Sequence, residues 1–175
     1  MQRREQVVHD EQEPCPYIEG QTARMPLRWQ FRRLTGEELD ESLAAGDRRV
    51  GRMLYRTTCP MCSACEAIRL PVDHFELSRS QRRIWRRNED VLVETGPATF
   101  SEEKLALYNR HKLERGLARD EAHMTRRGFE GWFVHSCART MEMRYRVNGR
   151  LIGVGILDMG VRDASSVYFF FDPDE

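Results

Sequence analysis

Three cysteines recur at intervals of three in Cys59-Pro-Met-Cys62-Ser-Ala-Cys65. This spacing lets thiolates converge on one ion or cluster while neighbouring backbone N–H groups turn toward sulfur. A closed tetrahedral zinc site takes four ligands, and an iron–sulfur cluster commonly takes four cysteines. Cys15, followed by proline and far away in sequence, is the leading fourth ligand, and His74 is the weaker one. Zn²⁺ and an iron–sulfur cluster both stay open, although the absence of a second CxxC disfavours a common zinc ribbon. The plainer alternative is a set of incidental buried thiols. Cys137 lies in an unlike context and reads as a buried apolar thiol. Five cysteines, with no apolar segment behind the N-terminal arginines, suit a reducing compartment, so the cytoplasm is the expected location.

The second concentration of chemistry is cationic. Residues 78–88, SRSQRRIWRRN, hold five arginines, and only Lys104 and Lys112 among the chain's 28 basic residues are lysine. Guanidinium forks match phosphate and carboxylate bidentately, which lysine cannot do. Ser80-Gln81-Arg82-Arg83 sits at a predicted helix start, where backbone N–H groups add to the attraction for anions. Trp85 either stacks on a base or, more commonly at this spacing, packs in a core. Tyr108 and His111 stand three apart on one helical face with Arg110 offset, an arrangement for holding an acidic ligand or moving a proton. His111 reads equally well as a structural histidine. No Ser-His-Asp order, P-loop or GxGxxG is present, and the glycines at 149, 153, 155 and 160 fit turns and a bulged strand.

The elements that must position these groups follow from local signals. The chain has 175 residues, 40% hydrophobic and 32% charged, enough for one domain or two small ones sharing a core. Acidic and basic residues balance at 28 each, against a purely electrostatic nucleic-acid binder. No apolar run approaches the roughly 20 residues of a membrane helix. Residues 1–13 are polar and expected to be loose, and Cys15–Gly20 to be an ordered turn. A short strand or an irregular edge is expected within Met25–Arg33. A helix capped by Thr35 and Glu38 stops at Gly46. One strand is predicted over Val50–Tyr55, leading into the cysteine knuckle, and an extended stretch from Cys65. Ser78 or Ser80 caps the arginine-rich helix, which ends near Asn88. A brief strand covers Val91–Glu94, and Gly96-Pro97 is expected to break the chain. A second helix runs from Ser101 to about Arg115, with Gly116 as its stop. Phe129, Trp132 and Phe133 predict a short core-packing helix. Met141–Val147 alternates as a half-buried strand, Asn148-Gly149 is a hairpin turn, and Leu151–Met159 and Val167–Phe171 complete a three-stranded antiparallel meander. Asp172-Pro-Asp-Glu then reads as a helix start, so the chain is expected to be truncated.

Taken together, Cys15-Pro-Tyr, Tyr55-Arg56, the CxxCxxC knuckle, Ser78-Arg-Ser-Gln-Arg-Arg83 with Asn88-Glu-Asp90, Tyr108-Asn-Arg-His111 and Ser166-Val-Tyr-Phe-Phe-Phe-Asp-Pro-Asp174 closely resemble the aminoacyl-tRNA–protein transferases. These are the arginyltransferases of eukaryotes and the bacterial aspartate/glutamate leucyltransferases. The resemblance runs from about Cys15 to Glu175, and the short form resembles the bacterial type. It implies transfer of leucine, or of arginine, from aminoacyl-tRNA to the N-terminal Asp or Glu of an acceptor protein, marking it for N-degron degradation. The implied fold is α+β or α/β: a cysteine-bearing N-terminal part (1–95) joined to the first part of a GNAT-like acyltransferase domain (96–175) containing the meander. No cofactor is implied for transfer itself. Carried over motif by motif, Tyr108, Arg110 and His111 would be catalytic. Tyr55, Arg56, Arg79, Gln81, Arg82 and Arg83 would bind substrate, and Cys15, Cys59, Cys62 and Cys65 would hold metal. The family pattern continues past Asp-Pro-Asp into a helix and strands that this chain lacks. A monomer is expected. Competing readings are a non-catalytic metal- and tRNA-binding fragment and an acyl-CoA-dependent GNAT enzyme, the latter disfavoured because no pyrophosphate loop follows the final strand.

Overall fold

A computed structural model describes residues 4–118 and 123–175. The chain opens with four short strands: β1 (Glu5–His9), β2 (Gln12–Pro14), β3 (Thr22–Arg24) and β4 (Leu27–Gln30). The first residues were expected to be loose, yet residues 5–9 pair with β4 and residues 12–14 with β3. Edge strands are held by backbone hydrogen bonds and tolerate polar side chains, so composition alone misjudges them. The β2–β3 loop is the ordered turn expected there, tied by Cys15 N–H to the Gln21 carbonyl at 2.8 Å.

Helix α1 (Gly36–Ala44) carries a complete capping box: Thr35 Oγ1 accepts from Glu38 N–H, and the Glu38 carboxylate accepts from Thr35 N–H. Gly46 at φ +85° follows its C-terminal turn. Where one strand over 50–55 was expected, there are two, β5 (Arg48–Val50) and β6 (Met53–Tyr55). Gly51 at φ +56° allows the tight turn between them, and its missing Cβ matters twice, because a methyl there would lie 2.6 Å from the Gly131 carbonyl oxygen. The first sheet runs β1-β4-β6-β5, all antiparallel.

The cysteine segment from 56 to 71 forms neither helix nor strand. Helix α2 (Arg79–Arg87) follows, capped by Ser78 with Gln81 as its reciprocal partner. Every one of its side chains is exposed, Trp85 included at 71%. The core-packing reading of Trp85 is therefore corrected: five arginines between residues 79 and 87 leave no apolar stripe wide enough to bury.

β7 (Leu92–Pro97) is the outer strand of the second sheet, with Gly96 opposite Glu142 and Pro97 opposite Met141. The expected break at Gly96-Pro97 is thus the end of a strand, and a division at 95/96 falls inside β7. Proline is tolerated there because an edge strand has one side without ladder bonds. Helix α3 (Glu102–Glu114) is capped by Ser101 and stopped by Gly116 at φ +63°, as read from the sequence. The short α4 (Arg126–Phe129) runs directly into a π-turn over Glu130–Val134. The meander is β8 (Thr140–Val147), β9 (Arg150–Met159) and β10 (Ala164–Phe171), with the hairpin residues Asn148 and Gly149 both at positive φ. The sheet order is β10-β9-β8-β7.

Helix α3 and the α4–π segment cover one face of this sheet. The core there is aromatic: Tyr108, Phe129, Phe133 and Phe170 meet mostly edge to face at 5.0–6.5 Å, with Leu107, Leu151, Val154 and Ile156 around them. Each such side chain stabilises by roughly 1.5–3 kcal/mol on burial. A smaller core of Leu34, Leu39, Leu54, Cys137 and Ala138 mixes residues from both halves of the chain.

Two polar brackets fasten the halves together. Asp40 of α1 accepts three successive backbone N–H groups, from Val161, Arg162 and Asp163, at 3.0–3.2 Å. Arg49 of β5 pairs with Asp158 of β9, both side chains almost wholly buried. The fold is a mixed α/β body built on antiparallel sheets.

Candidate functional site

Between the two sheets lies a cavity of about 780 Å³. Its walls come from both halves: His9 and Glu13 from the first strands with Glu11 between them, Tyr17 from the cysteine turn, Arg49 and Tyr55 from the β5–β6 hairpin, and Trp132, Phe133, Val167 and Tyr168 from the second half. Most of the wall is aromatic or aliphatic. The charges on it are distributed unevenly. His9 Nε2 and Glu13 Oε1 stand 3.3 Å apart and are substantially exposed. Arg49 is the buried charge.

The surroundings of Arg49 are specific. Nε donates to Asp158 Oδ2, and Nη1 donates to the carbonyls of Gly51 at 3.2 Å and Trp132 at 3.0 Å. Asp158 also accepts from the Thr140 hydroxyl at 2.6 Å. Nη2 is buried and has no hydrogen-bond partner among the described residues. A guanidinium held on two of its nitrogens and idle on the third is rigid, and its orientation does not depend on ligand. Leaving a buried donor unmet costs about 1–3 kcal/mol.

The residues expected to bind substrate or act in catalysis occupy several places. Tyr55 lines the large cavity. Its neighbour Arg56 turns away to Asp47, with Nε 2.9 Å from Oδ1, and Arg28 reaches the other oxygen of the same buried carboxylate at 2.7 Å. Tyr108 belongs to the aromatic core, and it also borders a second cavity of about 320 Å³ with Asn109, Lys112, His123 and Trp132. Trp132 is 47% exposed and forms part of both cavities, so it departs from the expected core packing while Phe129 and Phe133 follow it.

Arg110 is engaged at the end of β10. It reaches Asp172 at 2.9 Å, Asp174, and Glu114 one turn along the helix. The Asp172 carboxyl lies below its ordinary range: burial opposes ionisation, but the Asp174 N–H, Arg110 and Arg150 outweigh it. His111 Nδ1 faces the Phe171 backbone, 3.2 Å from the carbonyl oxygen and 3.4 Å from the nitrogen. Burial pushes this histidine's pKa down, so the neutral ring is favoured. Tyr108, Arg110 and His111 thus fix α3 against β10 and lie outside the wall of the larger cavity. Arg79, Gln81, Arg82 and Arg83 stand on exposed α2 and line neither cavity. Within that group Gln81 serves the cap and Arg82 donates to the Leu77 carbonyl at 2.5 Å.

Cys15, Cys59, Cys62 and Cys65 are free, half-buried thiols, and Cys137 is fully buried as read from the sequence. Burial pushes the Cys137 thiol up to about 11. Among the described residues no three Cys, His, Asp or Glu side chains stand together as a metal-holding group. The donors have the right chemistry for zinc or an iron–sulfur cluster, and in this structure they are not drawn together. Also among the described residues, no helix is long and apolar enough to cross a membrane.

Comparison with known proteins joins the two halves to one description. Residues 13–83 match the family model for the N terminus of arginine-tRNA-protein transferase, and residues 103–175 match that for its C terminus. The chain is 34% identical over 162 residues to a protein named aspartate/glutamate leucyltransferase from Acinetobacter baumannii (strain AYE), covering 92% of this chain and 60% of that protein. A protein of the same name from Chromobacterium violaceum is 31% identical over 166 residues, covering 93% and 67%. One from Hahella chejuensis is 34% identical over 130 residues, covering 74% and 56%. The chain therefore spans about three fifths of the length of the first of these relatives.

Proposed function

We propose a function from one premise: the chain belongs to the arginine-tRNA-protein transferase family. The proposed reaction is transfer of leucine from its tRNA ester to the α-amino group of a protein beginning with Asp or Glu, the activity for which the relatives are named. The observation that carries this reading is the cavity between the sheets. It lies where the two matched segments meet, and it takes walls from each. Arginine as the donor residue is the second member of the same reading. A mostly apolar wall favours leucine over a guanidinium side chain.

The chemistry is aminolysis of an ester. The neutral acceptor amine attacks the ester carbonyl carbon and a C–N bond forms. The C–O bond to the tRNA ribose breaks, and the proton lost from the amine nitrogen ends on the departing ribose oxygen. An α-amine of ordinary pKa, about 8, supplies enough neutral nucleophile near neutrality. What the protein adds is placement of two substrates and stabilisation of the developing oxyanion.

Helix α2 is proposed as the tRNA-facing surface. Arg79, Arg82 and Arg83 project from an exposed helix, with Trp85 beside them for stacking. Residues 96–175, with α3 laid on an antiparallel meander, are proposed as the front of a GNAT-like domain, and residues 1–95 as the cysteine-bearing partner. Tyr108, Arg110 and His111 support the cleft by fixing α3 to β10. The four half-buried thiols remain proposed metal or cluster ligands, and no step of the transfer passes through them. N-degron marking, a cytoplasmic location and a monomeric state belong to the same proposal.

The test is a transfer assay on this chain. Labelled Leu-tRNA and Arg-tRNA are offered separately with peptides beginning Asp, Glu or Ala. Label from Leu-tRNA on the Asp and Glu peptides, and not on Ala, is expected. Label from Arg-tRNA alone would change the donor. No label, even after the chain is extended to the length of its relatives, would refute the transferase reading.

A further inference from the structure

Of the three tryptophans, Trp132 alone borders the cavities described above, and it borders both. Trp29 has the Arg52 guanidinium over its ring at 5.4 Å, and Trp85 stands on α2, which lines neither cavity. The backbone that carries Trp132 is fixed by its neighbours. The π-turn closes with His135 N–H on the Glu130 carbonyl at 2.7 Å. The Trp132 carbonyl accepts from Arg49 Nη1 at 3.0 Å, and Arg49 is itself held by Asp158. Buried Phe133 meets the indole edge to face at 6.3 Å. Yet the side chain so anchored is 47% exposed. Turns of the π type concentrate at functional sites. A rigid, half-exposed indole on a cavity wall is a stacking platform for a flat ring.

The two cavities that share Trp132 differ in chemistry. The larger has Glu11 and Glu13 on its wall, which disfavour a phosphate there. The smaller adds Asn109, Lys112, His123 and Thr125, and no carboxylate is among its described lining residues. Its wall is also fixed. The Asn109 amide donates to the Met124 carbonyl at 3.0 Å and accepts from the Met124 N–H at 2.8 Å, which ties that edge to α3. At about 320 Å³ it lies within the range of small-ligand sites. A nucleotide needs a flat face for its base, polar groups for its edge and sugar, and no acid beside its phosphate. We propose that Trp132 stacks on the 3′-terminal adenine of aminoacyl-tRNA, with that adenosine seated in the smaller cavity. The inference rests on the transferase reading and assigns one part of its donor substrate. The amino acid is esterified to the ribose of this same adenosine, so a base held on Trp132 brings the ester toward the larger cavity across a shared wall residue. An acidic N-terminal residue of the acceptor would suit the same polar groups, but it makes no use of the indole face.

The test measures binding, so it does not depend on turnover. The probe is the trinucleotide CCA with 2-aminopurine in place of the terminal adenine, whose fluorescence falls when the base stacks on indole. Titration against the 175-residue chain gives a Kd and a stacking signal together, and quenching is expected. Trp132→Leu keeps apolar bulk and removes the ring face. It should abolish the quench and weaken binding about five- to a hundredfold, the range of one base on an aromatic platform. Trp132→Phe, a smaller ring in the same place, should give an intermediate Kd, and it decides the matter if the leucine variant fails to fold. No quench by the unaltered chain, or an unchanged Kd in both variants, would overturn the assignment. So would a quench lost in Trp85→Leu and kept in Trp132→Leu, which would place the base on α2. Displacement of the trinucleotide by the dipeptide Asp-Ala and not by adenosine 5′-monophosphate would give the cavity to the acceptor and overturn it as well. Trp132-dependent stacking without transfer in the tRNA assay would remove the transferase reading and leave a nucleobase site. Transfer without such stacking would do the reverse.

Discussion

Replacing Glu142 by glutamine should destabilise this protein more than replacing Lys104 by methionine, although the two side chains form one ion pair. Lys104 Nζ lies 2.8 Å from each Glu142 oxygen, and the side chains are 5% and 1% exposed. The neighbours differ. Among the described residues, Lys104 Nζ has otherwise the Thr99 carbonyl and hydroxyl, at 2.6 and 2.8 Å. Glu142 keeps a second cation, Arg144 Nη1 at 2.6 Å, and the Thr99 N–H at 3.1 Å. Glu142→Gln therefore strands an ammonium among neutral acceptors, at a cost of about 3–5 kcal/mol. Lys104→Met leaves a carboxylate that is still compensated, and the loss falls to about 1.5–3 kcal/mol, the scale of hydrogen bonds to a charged group. At roughly 2–4 °C per kcal/mol for a chain of this size, Glu142→Gln should lower Tm by about 6–20 °C. Urea unfolding of both single variants and the double variant measures the two costs and their coupling. Equal costs, a larger cost for Lys104→Met, or two variants within about 0.5 kcal/mol of the parent would refute the argument.

Three further outcomes are expected. The Arg32 guanidinium and the Thr35 N–H hold the Glu38 carboxyl at about 2, so its contribution is complete above its unfolded value of about 4.5 and is lost as pH falls toward 2. Glu38→Gln should lower the urea midpoint at pH 7, where that contribution is complete, change it little near pH 2, and so flatten the fall across the window. In the presence of a chelator at pH 8, a chromogenic disulfide reagent should titrate Cys15, Cys59, Cys62 and Cys65 in the native chain and Cys137 only after denaturation. A fifth fast thiol would contradict the burial of Cys137. Arg83→Ala should leave Tm unchanged, because α2 buries nothing. It should also make the salt dependence of tRNA binding shallower by about 0.7–0.9 in log–log slope, the value of one phosphate contact; an unchanged slope would remove α2 from the tRNA surface.

What could be read from the sequence was governed by distance along the chain. Thr35 with Glu38, Ser78 with Gln81, Ser101, Gly46 and Gly116 act within a turn of helix, and all stand where local rules put them. Asn148-Gly149 fixes its hairpin by the same kind of short-range geometry. The alternation in β8 marked a strand, although its fully buried residues are Thr140 and Glu142 and its apolar positions are half-buried. The site was harder. Arg49 reads as one more arginine in a chain with 26 of them, and only a carboxylate 109 residues away gives it a role. Tyr108 and His111 share a face as expected, but that face is the packed one, and no periodicity tells a cleft from a core. The edge pairing of β7 escaped because Gly96-Pro97 is a strong local breaker, overridden by a partner strand more than 40 residues later.

The Asp40 bracket has a consequence for how the chain is made. Its three amide donors lie 121 to 123 residues downstream. At about 5–20 residues per second, a ribosome delivers them roughly 6–25 s after Asp40 itself. Through that interval α1 has its capping box but not the turn that will cover its acid. A carboxylate that is buried when folding ends must meanwhile stay in water, so this bracket between the halves closes only after both exist. The contact that fastens the finished halves is thus also among the last that synthesis makes available.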